Sequence, residues 1–228
     1  ALARIVLPDP RPHPSPLVES GPMASVAPPA PTYRPVLPLA VRDAARISDA
    51  QAETVIYAGE AHAAHLPGWW RLDEAPHQMT LVPEDCEDAV QLRRGFFLGD
   101  GTGCGKGRQI AAVIADNMSQ GRVRALWLSR NDALLAEARR DWSAIGGGAH
   151  DIVPLSSWKQ GDAIRLDRGA LFTTYATLRQ PTRGGRQSRL DQIVAWLGAD
   201  FDGVIAFDEA HAMANAAGGG KGSRGTKK

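Results

Sequence analysis

Four patterns of apolar and polar residues follow one another along this chain. From Ala1 to about Leu39 no period survives the prolines of PDPRPHPSP and APPAPTYRPVLP. Proline removes an N–H donor and fixes φ, so helix is excluded there, and the stretch is expected to be either an extended arm laid over a neighbour or a linker. At Ile47 the pattern changes: ISDAQAETVIYAGEAHAAH repeats its apolar positions at helical spacing, with Ser48 or Asp49 as cap and Val55, Ile56 and Ala58 facing a core. LPGWWRLDEAPHQMTLVPEDCEDAVQ then shows little period, and Trp69 with Trp70 reads as a packed corner in preference to a stacking platform.

After Arg94 strands and helices alternate. GFFLGD predicts a buried strand, GKGRQIAAVIADNMSQG a helix stopped near Gly121, RALWLS a strand and NDALLAEARRDWSAI a helix. DIVPL, ALFTTY and GVIAFDEAH predict further strands, with SRLDQIVAWLG a helix before the last of them. Such alternation defines an α/β fold, a mostly parallel sheet flanked by helices, whose ligands bind at the carboxyl ends of the strands. The division expected is a Pro-rich extended N-terminal arm over 1–46 and one lobe over 47–228.

Composition narrows this picture a little. With 228 residues and 43% hydrophobic content, the chain can bury one substantial core. Its 26 basic and 25 acidic residues leave a formal charge of +1, so any nucleic-acid contact must be local. Cys86 and Cys104 read as reduced thiols of a cytoplasmic protein, the second lying inside a glycine loop where a bridge would restrain a ligand-closing backbone. Neither an export signal nor a membrane-spanning run is evident. Ala at position 1 and the glycine-rich, basic GGGKGSRGTKK at the end read as a piece of something larger.

Two stretches carry chemistry. In GDGTGCGKGR, glycines let successive N–H groups point at phosphate oxygens, Lys106 neutralises charge, and the following helix adds its positive end. Gly103, Gly105 and Lys106 keep the spacing of a phosphate-binding loop, with Gly101, Thr102, Cys104, Gly107 and Arg108 around them. The usual pattern has Gly where this chain has Asp100, and Ser or Thr where it has Gly107. A dinucleotide fingerprint fails, because these glycines recur every second residue and its third glycine is missing. In VIAFDEAH, Asp208 follows an apolar strand and is placed to hold Mg2+, while Glu209 can polarise the water that attacks a terminal phosphate. His62 and His65 near Glu60 lack the H-E-x-x-H order and a third ligand, and read as an ordinary helix end.

The run GFFLGDGTGCGKGRQIAAVIADN, with RALWLSRNDALLAEARRDW, LFTTYATL and FDGVIAFDEAH, resembles the strawberry notch family of superfamily 2 helicase-like proteins, in its bacterial or phage branch. HPSPLVESGPMASVAPPAPTY and ISDAQAETVIYAGEAH extend the resemblance upstream, and the family shares a Gly after the lysine. It implies a RecA-like ATP-binding lobe in which Gln51 reads the adenine edge and Lys106 with the loop holds the β- and γ-phosphates. Asp208 and Glu209 would be the magnesium and water residues, and His211 the coupling residue. Ser129, Asn131 and Asp132, then Thr173, Thr174 and Tyr175, stand where the family's nucleic-acid-backbone motifs sit. It also implies DNA or RNA as partner and a second RecA-like lobe, absent from this sequence, that supplies an arginine finger. The expected function is thus a DNA-dependent ATPase. The other readings are a non-hydrolysing, nucleotide-dependent regulator or scaffold, which Gly107 motivates, and a P-loop enzyme acting on a small molecule.

Overall fold

The computed structural model describes residues 11–18, 21–26, 29–42, 46–73, 78–180 and 187–213. Contacts group the chain into two compact units, Ala1–Asp116 and Asn117–Lys228. In the first, α1 (Gly21–Ala24) and α2 (Leu39–Arg42) are single turns. The first of these corrects the expectation that prolines exclude helix up to Leu39. Pro22 stands in the opening turn, where a missing N–H breaks no intrahelical bond, and Ser25 N–H closes the turn on the Gly21 carbonyl at 3.1 Å.

Helix α3 (Asp49–His62) starts at the predicted cap: Ser48 is N-cap, and the Gln51 side chain reaches back to accept its N–H at 3.0 Å. Val55, Ile56 and Ala58 are buried as their spacing predicts. Helix α4 (Lys106–Ser119) follows the glycine loop. Residues 29–38 are irregular apart from the proline-bounded entry to α2, and side chains of both helices hold them. Glu60 accepts the backbone N–H groups of Thr32 and Tyr33 at 2.9 and 2.6 Å. Those donors, Tyr33 N–H foremost, hold the Glu60 carboxyl below its ordinary pKa. Asp116, buried on α4, accepts from Tyr33 Oη and from Val36 N–H, each at 2.5 Å.

Two expectations change in this unit. The tryptophan-rich stretch forms an antiparallel hairpin of β1 (Trp69–Leu72) and β2 (Met79–Val82), with Trp69 opposite Val82. Neither strand has a dry face, so the period of two that betrays a half-buried strand is missing from its sequence. Trp69 and Trp70 are half-buried, and Trp70 donates its indole N–H to the Pro67 carbonyl at 3.1 Å. The segment GFFLGD, expected as a buried strand, is not one: it makes no ladder, and Phe97 is 85% exposed. An apolar run becomes a strand only where a sheet edge offers it hydrogen bonds. Among the described residues of this unit, the named strands are those of the hairpin, which pair with each other.

The second unit realises the predicted alternation. It contains β3 (Arg124–Ser129), α5 (Leu134–Ala144), β4 (Ile152–Pro154), β5 (Gly169–Thr174), α6 (Tyr175–Leu178), α7 (Arg189–Leu197) and β6 (Val204–Phe207). The four strands form one parallel sheet in the order β4-β5-β3-β6, flanked by helices. Leu126 and Leu128 of β3 and Leu171 of β5 pack with Ile193 and Trp196 of α7. Each such side chain contributes roughly 1.5–3 kcal/mol by leaving water. Ser188 caps α7, accepting the Asp191 N–H at 3.0 Å. Register aligns the chemistry: Ser129 pairs with Thr174 at the carboxyl ends of β3 and β5, and Asp208 N–H continues the β3–β6 ladder onto the Leu128 carbonyl at 2.8 Å. Among the described residues no helix is long and apolar enough to cross a membrane.

Candidate functional site

The glycine loop is shaped by its own sequence. Gly103 and Gly105 adopt φ of 91° and 75°, a region other residues enter at a cost of about 1 kcal/mol or more. The turn they make delivers the chain into α4 at Lys106. Gln109 N–H bonds the Gly105 carbonyl at 3.1 Å, so the N–H groups of Lys106, Gly107 and Arg108 precede the helix ladder and have no acceptor within it. Those donors, with the helix dipole behind them, form an anion-binding end. The Lys106 ammonium is turned back on the loop, donating to the carbonyls of Asp100 and Gly101 at 3.1 Å each.

Two glutamines brace this loop. Gln51, 3% exposed, donates its amide N–H to the Cys104 carbonyl at 3.1 Å while its oxygen holds Ser48. Gln109, fully buried one turn into α4, donates to the Asp100 carboxylate at 2.9 Å. Asp100 departs from the usual phosphate-loop pattern, and this bond accounts for it, because the carboxylate ties the loop's start to the helix that ends it. The sequence signal for Gln109 was a polar residue on the buried face of α4, seven positions before the equally buried Asp116. Gly101 and Thr102 are exposed, and Cys104 is half-buried with a free thiol. Arg108 is half-buried, and its Nε has no partner among the described residues.

The close approach of Gln51 makes Gly105 a sensitive position. A Cβ there would stand 2.5 Å from Gln51 Nε2, on a backbone with positive φ. Gly105→Ala is expected to displace Gln51 and lower stability by about 1–3 kcal/mol, read as a fall in the unfolding midpoint. Gly101→Ala, which meets open space, is the matched control.

The acidic half of the motif lies in the second unit, at the end of β6. Asp208 is half-buried, and its carboxylate accepts the Ser129 hydroxyl at 3.0 Å. Burial raises the Asp208 pKa, against the hydrogen bond from Ser129, which lowers it. The Trp127 indole N–H acts in the same direction as Ser129, although no conventional hydrogen bond reaches it. The Asp208 carbonyl accepts the Tyr175 hydroxyl at 2.7 Å. Burial, with the charges of Asp208 and Glu209, pushes the Tyr175 phenol up to about 12, so it stays a donor at any physiological pH. Glu209 then takes φ of 53°, a conformation rare for a residue with a Cβ. Its side chain is 42% exposed and stands 3.2 Å from His211 Nδ1.

The residues placed in the nucleic-acid motifs divide by burial. Ser129, Thr174 and Tyr175 are 0%, 3% and 5% exposed, and their hydroxyls bond inside the unit. Thr173 is also buried, while Thr174 caps α6 by accepting the Thr177 N–H at 3.2 Å. Asn131 is half-buried with its side-chain oxygen on Leu134 N–H at 3.3 Å, and Asp132 is exposed.

A parallel α/β sheet, a glycine loop opening a helix on a lysine, and an acidic pair at a strand end define a nucleotide-binding P-loop domain. The chain belongs to the family described as P-loop containing NTP hydrolase pore-1, whose model matches residues 12–228. It is 36% identical over 208 residues to Protein FORGETTER 1 of Arabidopsis thaliana, covering 90% of this chain and 14% of that protein. It is 37% identical over 206 residues to Protein strawberry notch homolog 2 of Mus musculus, covering 90% of this chain and 13% of the other. Protein strawberry notch of Drosophila melanogaster matches at 34% over 211 residues, 89% of this chain and 11% of the fly protein. The strawberry notch resemblance read from the motifs is thereby borne out. The chain spans about one-seventh or less of the length of these relatives. No solved structure gives a significant match.

The donor set fits a magnesium ion delivered with a nucleotide. Among the described residues no group of three or more His, Cys, Asp and Glu could close a cage of its own. Magnesium favours one or two carboxylates completed by phosphate oxygens and water. Asp208 offers such a carboxylate, with Ser129 on one oxygen.

Proposed function

We propose that this chain is the ATP-binding first motor lobe of a strawberry notch-like, DNA-dependent ATPase that couples hydrolysis to movement on nucleic acid or its remodelling. The observation that carries the reading is the loop: positive-φ glycines hand the chain to a helix that begins on Lys106, with three N–H donors clear of the helix ladder. In this reading Lys106, Gly103, Gly105 and the N–H groups of Gly107 and Arg108 hold the β- and γ-phosphates. Gln51 keeps a second amide N–H and a second lone pair, the donor and acceptor that an adenine edge requires.

Asp208 is the magnesium residue and Glu209 the residue that orients the attacking water. Asp208 would hold the ion, which would supply positive charge against the negative charge that develops in phosphoryl transfer. His211, beside Glu209, passes the state of that water to the rest of the motor. The nucleic-acid contacts fall to the accessible Asn131, with Ser129, Thr174 and Tyr175 supporting it from inside the sheet. The full cycle draws on a second RecA-like lobe with its arginine finger, so turnover by this lobe alone is poor.

ATP hydrolysis by the full-length protein, measured with and without added DNA or RNA, tests the proposal. Turnover that rises with nucleic acid is the expected result. Turnover indifferent to it sinks the motor reading and favours a P-loop enzyme acting on a small molecule. Tight nucleotide binding with no turnover favours the regulator that Gly107 motivated.

A further inference from the structure

Asp208 is held at three points, more than a strand-end carboxylate needs in order to fold. Its N–H bonds the Leu128 carbonyl at 2.8 Å, its carbonyl takes the Tyr175 hydroxyl at 2.7 Å, and its carboxylate takes the Ser129 hydroxyl at 3.0 Å. The three partners come from two strands that end side by side, since Ser129 and Thr174 pair in register and Tyr175 follows Thr174 directly. Both hydroxyls are buried, and Tyr175 donates across the end of the sheet into the turn that carries the acidic pair. Trp127, two residues before Ser129 on the same face of β3, is 1% exposed and keeps an indole N–H with no hydrogen-bond partner among the described residues.

We propose that Ser129 and Tyr175 are positioning residues for the metal carboxylate: Ser129 fixes the rotation of the Asp208 side chain, and Tyr175 fixes the backbone on which Glu209 makes its strained turn. This deepens the function proposed above and rests on Asp208 being the magnesium residue. A carboxylate has two oxygens and about four lone-pair sites. A hydroxyl seated on Oδ2 selects one rotamer and leaves Oδ1 for a cation. The Tyr175 bond ends on the peptide between Asp208 and Glu209, so it restrains the φ of 53° that directs the Glu209 carboxylate. Such outer partners orient a metal ligand without touching the metal, and losing one typically weakens metal affinity by about 10–100-fold.

The test uses the full-length protein with Mn2+ as probe, its binding followed by electron paramagnetic resonance beside a non-hydrolysable ATP analogue. Affinity for the same analogue in EDTA is measured in parallel. Ser129→Ala is expected to weaken Mn2+ by about tenfold and leave metal-free nucleotide affinity unchanged. Ser129→Thr, which keeps the donor, is expected to restore Mn2+ binding even where its extra methyl lowers the unfolding midpoint. Tyr175→Phe is expected to weaken Mn2+ less than Ser129→Ala and to lower turnover more than it raises the KM for ATP. Unchanged Mn2+ affinity in both Ser129→Ala and Tyr175→Phe, while Asp208→Asn abolishes it, overturns the positioning role and spares Asp208. Unchanged Mn2+ affinity in Asp208→Asn overturns the metal assignment itself, and the positioning role with it. Should Ser129→Ala fail to fold, the contrast between Ser129→Thr and Tyr175→Phe decides.

Discussion

Replacing Glu209 by Gln is expected to cut ATP turnover by about 10²- to 10⁴-fold while leaving nucleotide affinity nearly unchanged, because a residue that orients or deprotonates water acts on the transition state and not on ground-state binding. The substitution keeps side-chain length and branching, so it leaves the backbone at φ 53° as it was, and the 3.2 Å approach to His211 survives as a neutral contact. Stability is therefore expected to hold within about 0.5 kcal/mol, the range of exposed substitutions away from special features. The measurement is a pair: steady-state phosphate release, and nucleotide affinity by calorimetry, on wild type and variant. Equal turnover in the two proteins would remove Glu209 from the chemistry. A collapse of nucleotide affinity would recast it as a binding residue.

The Lys106→Ala change works from the opposite side and is expected to abolish binding. The ammonium that now rests on the carbonyls of Asp100 and Gly101 is the loop's positive charge, and it can exchange two carbonyl oxygens for phosphate oxygens without moving the helix. A hydrogen bond to a charged group contributes about 1.5–3 kcal/mol, so losing two predicts a fall in affinity of more than 100-fold. The same substitution frees the loop from its lysine, but Gln51 on Cys104 and Gln109 on Asp100 still hold it. The unfolding midpoint is accordingly expected to fall by no more than a few degrees. Calorimetric titration with ATP decides: affinity within threefold of wild type would be incompatible with a phosphate-holding role for Lys106.

These predictions were nearly readable in the sequence because the residues they concern are near one another along it. The glycines, Lys106 and the helix they open lie within one loop. Asp208, Glu209 and His211 lie within four positions at the end of an apolar strand. Gln51 stands three residues after the N-cap Ser48, the spacing at which a side chain reaches back to the cap N–H, visible without any tertiary knowledge. Strands β3 and β5 announced themselves because they are buried on both faces, which requires near-continuous apolar runs.

Other features were not readable. Ser129 and Asp208 are 79 positions apart, and Tyr175 and Asp208 33, so no local pattern could say whether those hydroxyls face solvent, nucleic acid or a carboxylate. Gln109 and Asp116 left a trace, two polar residues seven apart on the face of α4 that ought to be apolar, but their partners on Asp100 and on Tyr33 with Val36 could not be guessed from it. GFFLGD failed for a related reason: strand propensity states a willingness to pair, and pairing depends on an edge elsewhere.

By itself the sequence determined where the longer helices begin, where the backbone must be glycine, and which residues could meet a phosphate or a metal. All of these depend on covalent geometry and on interactions within about one helical turn. Tertiary structure alone decided that β3, β5 and β6 bring their carboxyl ends into register. It also decided that Ser129 and Tyr175 turn inward to Asp208, and that Gln51 closes on Cys104. Those outcomes follow from which buried polar atoms must find partners once distant segments have packed.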